Sequence, residues 1–229
     1  MVFGLPFLEF SKLQHVELFA GQCAVTWSEL KDEGRKAIAM DVEIGGEVMD
    51  LTTNAGFVAA LYHTCRLSPG SGWLAAPVCS SFVFMSHGTT KRSASRPLGE
   101  ESYPSVALGN LLLARTLVIL MVAHALGCMW ILEQPKGSVM ELHPLFQEMM
   151  GKLTMWKHTI SMGRYGANSD KPTWLYASHN CVEDLEDFKP KWLPEREEVE
   201  MAVIYEDSKG LKRVKGGRHL KASQAYPIG

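Results

Sequence analysis

The stretch VELFAGQCAVTWSELKDEGRKAIAMD (16–41) decides how the rest of the chain is read. VELFA (16–20) is a short apolar run of strand formers closed by Gly21. AVTWSELKDEG has a helical pattern stopped by Gly34, and KAIAMD (36–41) is strand-like again and ends on a carboxylate. Strand, glycine turn, helix and strand together make one βαβ unit of a parallel sheet. The alternation continues outward from it. EVMDL (47–51), after the Gly45-Gly46 turn, predicts a third short strand ending on Asp50. Residues 54–66 predict a helix that SPGSG breaks, and GWLAAP (72–77) predicts a fourth strand. Pro104 opens a long apolar helix to about Ala125, Gly127 closes it, and CMWILE (128–133) follows as a fifth strand. WKHTISMG (156–163) and TWLYAS (173–178) are the sixth and seventh. The expected fold class is therefore α/β, a mostly parallel seven-stranded sheet flanked by helices.

Composition narrows the possibilities. The chain has 229 residues, 46% of them apolar, enough to bury the core of a single domain spanning 1–229. A net charge of −2 gives no bulk attraction to nucleic acid. Charge is unevenly placed, however: 183–200 holds eight carboxylates against three basic residues, and 207–221 six basic residues against one Asp. The basic run reads as a solvated strand or loop, or as a contact for phosphates. Five cysteines, odd in number and without a CxxC, exclude a disulfide framework and a structural zinc site. The histidines show no metal-ligand spacing either, so no metal is expected. Reduced thiols imply an intracellular setting, nucleus or cytoplasm. MVFGLPFLEF lacks a basic n-region and carries Glu9, unlike a signal peptide. Leu111 to Leu132 has the length of a membrane span, but Arg115, His124, Gly127 and the closing EQP make it a buried helix followed by a strand.

In parallel sheets chemistry collects beyond the carboxyl ends of the strands. Here those ends carry Gly21, Asp41, Asp50, Cys79 and Glu133. Glycine permits a tight turn and close approach of a ligand to the backbone. A carboxylate such as Asp41 serves equally to bind ribose hydroxyls or to cap a helix, and Asp50, in Asp-Leu-Thr-Thr-Asn, also fits a cap. Cys79, in AAPVCSSF (75–82), is either a nucleophile or a buried inert thiol. Residues 80–103 are too long for an ordinary connection, which makes them a functional, mobile loop or a disordered one.

VELFAG (16–21), AMDVE (39–43), MDLTT (49–53), APVCSSF (76–82), ILEQP (131–135) and GRYGANSDKPTWL (163–175) resemble, in order, the motifs of the cytosine-C5 DNA methyltransferases. The match covers about residues 14–178, and its most specific parts are the cysteine motif and the EQP element. The resemblance implies the Rossmann-like, class I S-adenosylmethionine-dependent methyltransferase fold, with one antiparallel strand near the end. It implies that Phe19, Ala20, Gly21, Gln22 and Cys23 bind the methionine part of S-adenosylmethionine. Asp41 then holds the ribose, Val42 meets the adenine face and Asp50 reads its amino group, with Leu51 and Pro77 completing the cofactor set. Cys79 becomes the nucleophile, Glu133 the acid that steadies the attacked ring, and Arg164 the cation beside them. Ser80, Ser81, Lys91, Arg92 and Arg96 belong to a lid that closes on the substrate backbone.

The chemistry explains the residue types. C5 of cytosine is too weak a nucleophile to take a methyl group until a thiolate has added at C6. Protonation of the ring nitrogen by a buried carboxyl avoids a full negative charge. The base must leave its stack, which costs less in a single strand than in a duplex.

Four departures from the family's pattern stand out. Cys23 replaces the second glycine of the cofactor turn, Val78 the proline before the nucleophile, Gln134-Pro135 the usual Asn-Val, and Gly166 a second arginine. A further departure concerns the DNA-reading domain that the family inserts after the seventh strand, because 180–229 offers only a short extension. The expected partner is accordingly nucleic acid, DNA ahead of RNA, single-stranded or presented by another protein, with no membrane involved. Two other readings stay open: a non-catalytic module binding S-adenosylmethionine or nucleic acid, and a methyltransferase acting on RNA or another acceptor.

Overall fold

The computed structural model describes residues 12–22, 24, 30–167, 169–186 and 202–216. Six strands form one sheet: β1 (Leu13–Leu18), β2 (Ala37–Met40), β3 (Leu67–Ala75), β4 (Met129–Pro135), β5 (Trp156–Ser161) and β6 (Pro172–Ala177). Their order across the sheet is β2-β1-β3-β4-β6-β5. β1 runs parallel to both β2 and β3, and β3 runs parallel to β4. Only β6 is reversed, pairing antiparallel with β4 on one side and β5 on the other. The mostly parallel sheet with one reversed strand near the end is as the sequence leads one to expect.

The strand count is not. EVMDL forms no strand: Val42–Gly45 is a short helix, α1, and Gly46–Met49 is a 3-10 turn. Asp41 turns the chain, because its carboxylate accepts from the Glu43 N–H and caps α1. Val48 is 62% exposed, so this segment has no apolar face to lay against a sheet edge. The sheet accordingly has six strands. A second difference concerns SPGSG (68–72), which does not end the element but lies inside β3. The β1–β3 register jumps from Leu13↔Leu67 to His15↔Gly72, so the stretch through Pro69 and Gly70 bulges out of the ladder.

The helices begin on identifiable signals. In α2 (Asn54–Cys65) the Thr53 hydroxyl accepts from the Gly56 N–H. In α4 (Pro104–Ala125) proline stands in the first turn, and in α5 (Pro144–Met150) the His143 ring caps the start by accepting from Leu145 N–H. Between α2 and α4 lies the four-residue α3 (His87–Thr90). By length and composition α4 could cross a membrane. It packs against α2, β3 and β4 instead, burying Leu113, Ile119 and Leu120 in the same core as Trp73, Trp130 and Tyr176. A separate antiparallel hairpin, β7 (Ala202–Glu206) and β8 (Lys212–Gly216), puts part of the basic run on a strand. The Asp207 carboxylate organises its turn by accepting from the Lys209 and Leu211 N–H groups.

One glycine sets how closely α2 seats on the chain before it. A Cβ at Gly56 would lie 2.1 Å from the Asp50 carbonyl oxygen, a backbone atom that cannot swing away. Gly56→Ala is expected to destabilise the protein by roughly 1–3 kcal/mol in urea unfolding, the usual cost of overpacking. Gly88→Ala, where a Cβ meets nothing within 4 Å, serves as the control and should change stability little.

Candidate active site

The strand register brings the candidate residues to one edge. Leu18 pairs with Met40 and with Ala75, and Ala75 pairs with Leu132. The residues that follow, Phe19–Gly21, Asp41, Ala76–Cys79 and Glu133–Pro135, therefore all leave the sheet at its carboxyl edge. The reversed β6 begins where the parallel strands end, with Thr173 opposite Pro135 and Leu175 opposite Glu133. Lys171, just before β6, is thereby delivered to the same edge.

The turn after β1 is tightly held. Phe19 and Ala20 donate their N–H groups to the Met40 carbonyl at 2.9 and 3.3 Å. Gly21 donates to Asp41 Oδ2 at 3.0 Å, while Asp41 Oδ1 accepts from Glu43 N–H at 2.8 Å. Of the two roles considered for Asp41 the geometry shows the cap, and the same carboxylate also ties down the turn after β1. Its two oxygens use one lone pair each on these bonds and retain acceptor capacity. Phe19 has φ 61° and Gly21 φ 64°. A left-handed phenylalanine is unusual, and here the two bonds to Met40 enforce it. Among the described residues a Cβ at Gly21 would find nothing within 4 Å, so open space adjoins the turn. Gln22 and Val42 are exposed beside it, Val42 by 52%. Cys23 lies outside the described residues. The Phe19, Ala20 and Gly21 N–H groups are used within the turn, and the acceptor capacity left on Asp41 faces any group bound there.

Asp50 and Leu51 stand differently from expectation. Asp50 follows a 3-10 turn rather than a strand, and its carboxylate accepts from Thr52 N–H at 2.8 Å. Leu51 puts its side chain in the core, and its carbonyl accepts from Arg115 of α4 at 2.7 Å. Arg115 also donates to Thr53 O and Asn54 Oδ1, fixing the whole connection.

The segment that carries Cys79 is pinned from both sides. Ala76 N–H donates to Leu18 O at 3.3 Å, and the buried Gln134 Nε2 donates to Pro77 O at 2.7 Å. Gln134 Oε1 in turn accepts from Ser138 Oγ at 3.0 Å, which fixes the amide's orientation. Beyond the cysteine, Phe82 N–H donates to Cys79 O at 2.8 Å and Phe82 O accepts from Val139 N–H at 3.0 Å. Val78 is exposed between these anchors, so the turn is held although proline is missing. Cys79 is a half-buried free thiol. Burial pushes its pKa up and the Glu133 carboxyl pushes the same way, against Lys171 and a backbone hydrogen bond. Glu133, 6% exposed, also has its pKa raised by burial, opposed by Lys171. Lys171 Nζ lies 3.7 Å from Glu133 Oε1, an ion-pair distance. Among the described residues no donor comes within hydrogen-bond distance of that oxygen.

The expected roles of Arg164 and Arg92 need correction. Arg164 is exposed and donates to the Glu186 carbonyl at 3.3 Å, so the cation paired with Glu133 is Lys171. Segment 80–103 is folded, through the 3-10 turn Phe84–Ser86 and α3, rather than an open lid. Arg92 is buried within it, with its guanidinium 3.9 Å over the Phe82 ring. It donates to Ser81 Oγ, Val106 O, Asn110 Oδ1 and Pro97 O, and burial lowers its pKa to about 10. Arg92 and the buried Ser81 therefore hold the segment together and are not presented to a substrate. Ser80, Lys91 and Arg96 are exposed; Lys91 donates to Gly88 O, and Arg96 pairs with Glu100 at 2.8 Å.

The fold is thus α/β, a six-stranded, mostly parallel sheet flanked by helices and compatible with a Rossmann-like arrangement. Comparison with protein-family models and with curated proteins finds no match for the chain. The site itself offers a thiol, a buried carboxyl and an ammonium at one sheet edge, beside a glycine turn with open space. That set can supply a nucleophile and a proton. Lys171 escaped the sequence reading, although its place before a reversed strand was the available signal.

Because Glu133 raises the Cys79 pKa, neutralising it has a definite sign. In Glu133→Gln the pH midpoint for iodoacetamide alkylation of Cys79, followed site by site with mass spectrometry, is expected to fall relative to wild type. An unchanged midpoint means that the two groups do not sense each other.

Proposed function

We propose that this protein is an S-adenosylmethionine-dependent methyltransferase acting at C5 of cytosine in DNA. The reading is supported above all by the half-buried thiol of Cys79, which senses both the buried Glu133 and Lys171 at the edge that carries the Gly21–Asp41 turn. Phe19–Gly21, Gln22 and Asp41 would hold the cofactor, with Val42 against its base. Bound S-adenosylmethionine supplies an electrophilic methyl group.

The chain's own residues do the rest. Burial raises the Glu133 pKa, which suits its carboxyl to hold a proton for the ring. Whenever Glu133 is protonated it does not oppose ionisation of Cys79, and Lys171 favours the thiolate. Cys79 Sγ bonds to C6 of the ring as Glu133 gives its proton to N3, which leaves C5 nucleophilic. Once C5 has taken the methyl group and the demethylated thioether is released, loss of the C5 proton to water expels Sγ as thiolate, and N3 returns its proton to Glu133 as the aromatic ring is restored. Gln134, holding the Pro77 carbonyl, fixes the backbone two residues before Cys79. The substrate cytosine is unstacked, and single-stranded or flexible DNA is the preferred form, which places the protein's work inside the cell.

The decisive experiment is incubation with cofactor and a 5-fluorocytosine oligonucleotide. Fluorine blocks the final elimination, so a covalent adduct at Cys79 is expected in wild type and none in Cys79→Ala. Tritium transfer to cytosine that persists in Cys79→Ala rules out the nucleophile. Transfer to RNA alone, or tight cofactor binding without transfer to any acceptor, moves the assignment to the two other readings.

Asp41→Ala is expected to weaken S-adenosylmethionine binding about tenfold or more, since a charge-assisted hydrogen bond contributes about 1.5–3 kcal/mol. Calorimetry checks this, and unchanged affinity removes Asp41 from the cofactor site.

A further inference from the structure

Past the nucleophile the chain exposes the wrong kind of residue for an ordinary turn. Phe84 is 75% exposed and Met85 follows it partly exposed, five and six positions after Cys79. The Phe84 ring meets the His87 ring edge to face at 5.6 Å, and much of its surface remains open. An aromatic side chain left in water next to a candidate active site is a cost that packing within the chain does not recover. The 3-10 turn that presents it is itself firmly built. Ser86 N–H and Oγ both bond to Val83 O, and the Arg92 cluster anchors the segment from beneath. Phe84 is therefore held out by a folded support.

Beside this turn runs β8, within 8 Å of it measured between Cα atoms. The hairpin carries four basic residues, Lys209, Lys212, Arg213 and Lys215, against Glu206 and Asp207. Lys212 stands opposite Glu206 in the ladder, which leaves Arg213 and Lys215 opposite the uncharged Tyr205 and Val203. The exposed Lys91 follows the turn at the end of α3. An exposed ring with a basic strand nearby matches what single-stranded nucleic acids require: a face for a base and positive charge for the phosphates. A duplex, whose bases are already stacked, gains nothing from the ring.

We infer that Phe84 and the basic strand β8 form a docking surface for single-stranded nucleic acid, with a base stacking on Phe84 and the basic residues of β8 supplying positive charge for the phosphates. The surface rests on the proposed function for its role, since it would deliver a strand to Cys79. It also explains how a chain with net charge −2 can engage a polyanion, by local rather than overall charge.

Fluorescence anisotropy with a labelled oligonucleotide, 12 nucleotides of mixed pyrimidines, tests the surface without requiring turnover. Wild type is expected to bind the single strand more tightly than the matched duplex. Phe84→Ala should weaken single-strand binding about tenfold, and Phe84→Trp should restore it, as base–aromatic stacking predicts. Replacing Lys212, Arg213 and Lys215 together by Gln should reduce the slope of log affinity against log salt by about 2, at roughly 0.7 per phosphate on a single strand. A DNA arm and an RNA arm show which sugar the surface favours. Equal binding by wild type and Phe84→Ala, a preference for duplex, or no binding to any nucleic acid overturns the inference. Cys79→Ala in the same assay separates the two ideas. Binding that depends on Phe84 while methyl transfer is absent sinks the enzyme and keeps the surface. Methyl transfer that is indifferent to Phe84 does the reverse.

Discussion

A single buried amide joins the parts of this molecule that matter together. Gln134 sits at the end of β4, one residue beyond Glu133, and reaches across to the carbonyl of Pro77 two residues before Cys79. An unpaired amide in that position would cost a few kcal/mol, so the bond constrains both segments at once. Ser138 holds the other end of the amide and prevents it from turning over. Through Gln134 the spacing between the carboxyl of one strand end and the thiol of its neighbour becomes a property of the core rather than of a loop.

From that constraint the electrostatics follow. Glu133 and Cys79 are both placed where burial disfavours their anions, and each anion would disfavour the other. Lys171 is the group that breaks the symmetry, and it owes its place to the one reversed strand in the sheet. A further parallel strand beside β4 would have begun at the opposite edge. The antiparallel β6 thus brings charge to a location that parallel strands reach only with their carboxyl ends.

Arg92 shows the same economy in a different form. A guanidinium offers five donors in a rigid fork, more than a lone substrate phosphate uses. Buried against the Phe82 ring, it satisfies Ser81, Asn110 and two carbonyls, and gives a long polar segment an interior of its own. This is how 86–103, which holds no run of apolar residues, is folded, and how Phe84 comes to be held outward.

Local pattern was enough for much of this architecture. Alternating apolar runs and glycine turns in 16–41, the proline at the head of α4 and the apolar stretch into EQP specify strands and helices, because periodicity and turn chemistry act over a few residues. The polar residues after those strands specify which edge is the chemical one, and Gly21, Asp41, Cys79 and Glu133 are legible there. Local pattern misjudged EVMDL, where the cap at Asp41 starts a helix and a 3-10 turn follows it, so that Val48 is left exposed while Leu51 enters the core. It also misassigned one cation and passed over another. Arg92 lies in a polar stretch yet is buried, and Lys171 looks like a loop lysine yet stands 3.7 Å from Glu133. Which charge meets which carboxyl depends on strand order and direction, contacts between residues far apart in the chain. Those only the tertiary structure decides, because register across a sheet is fixed by the packing of its two faces and not by any one segment.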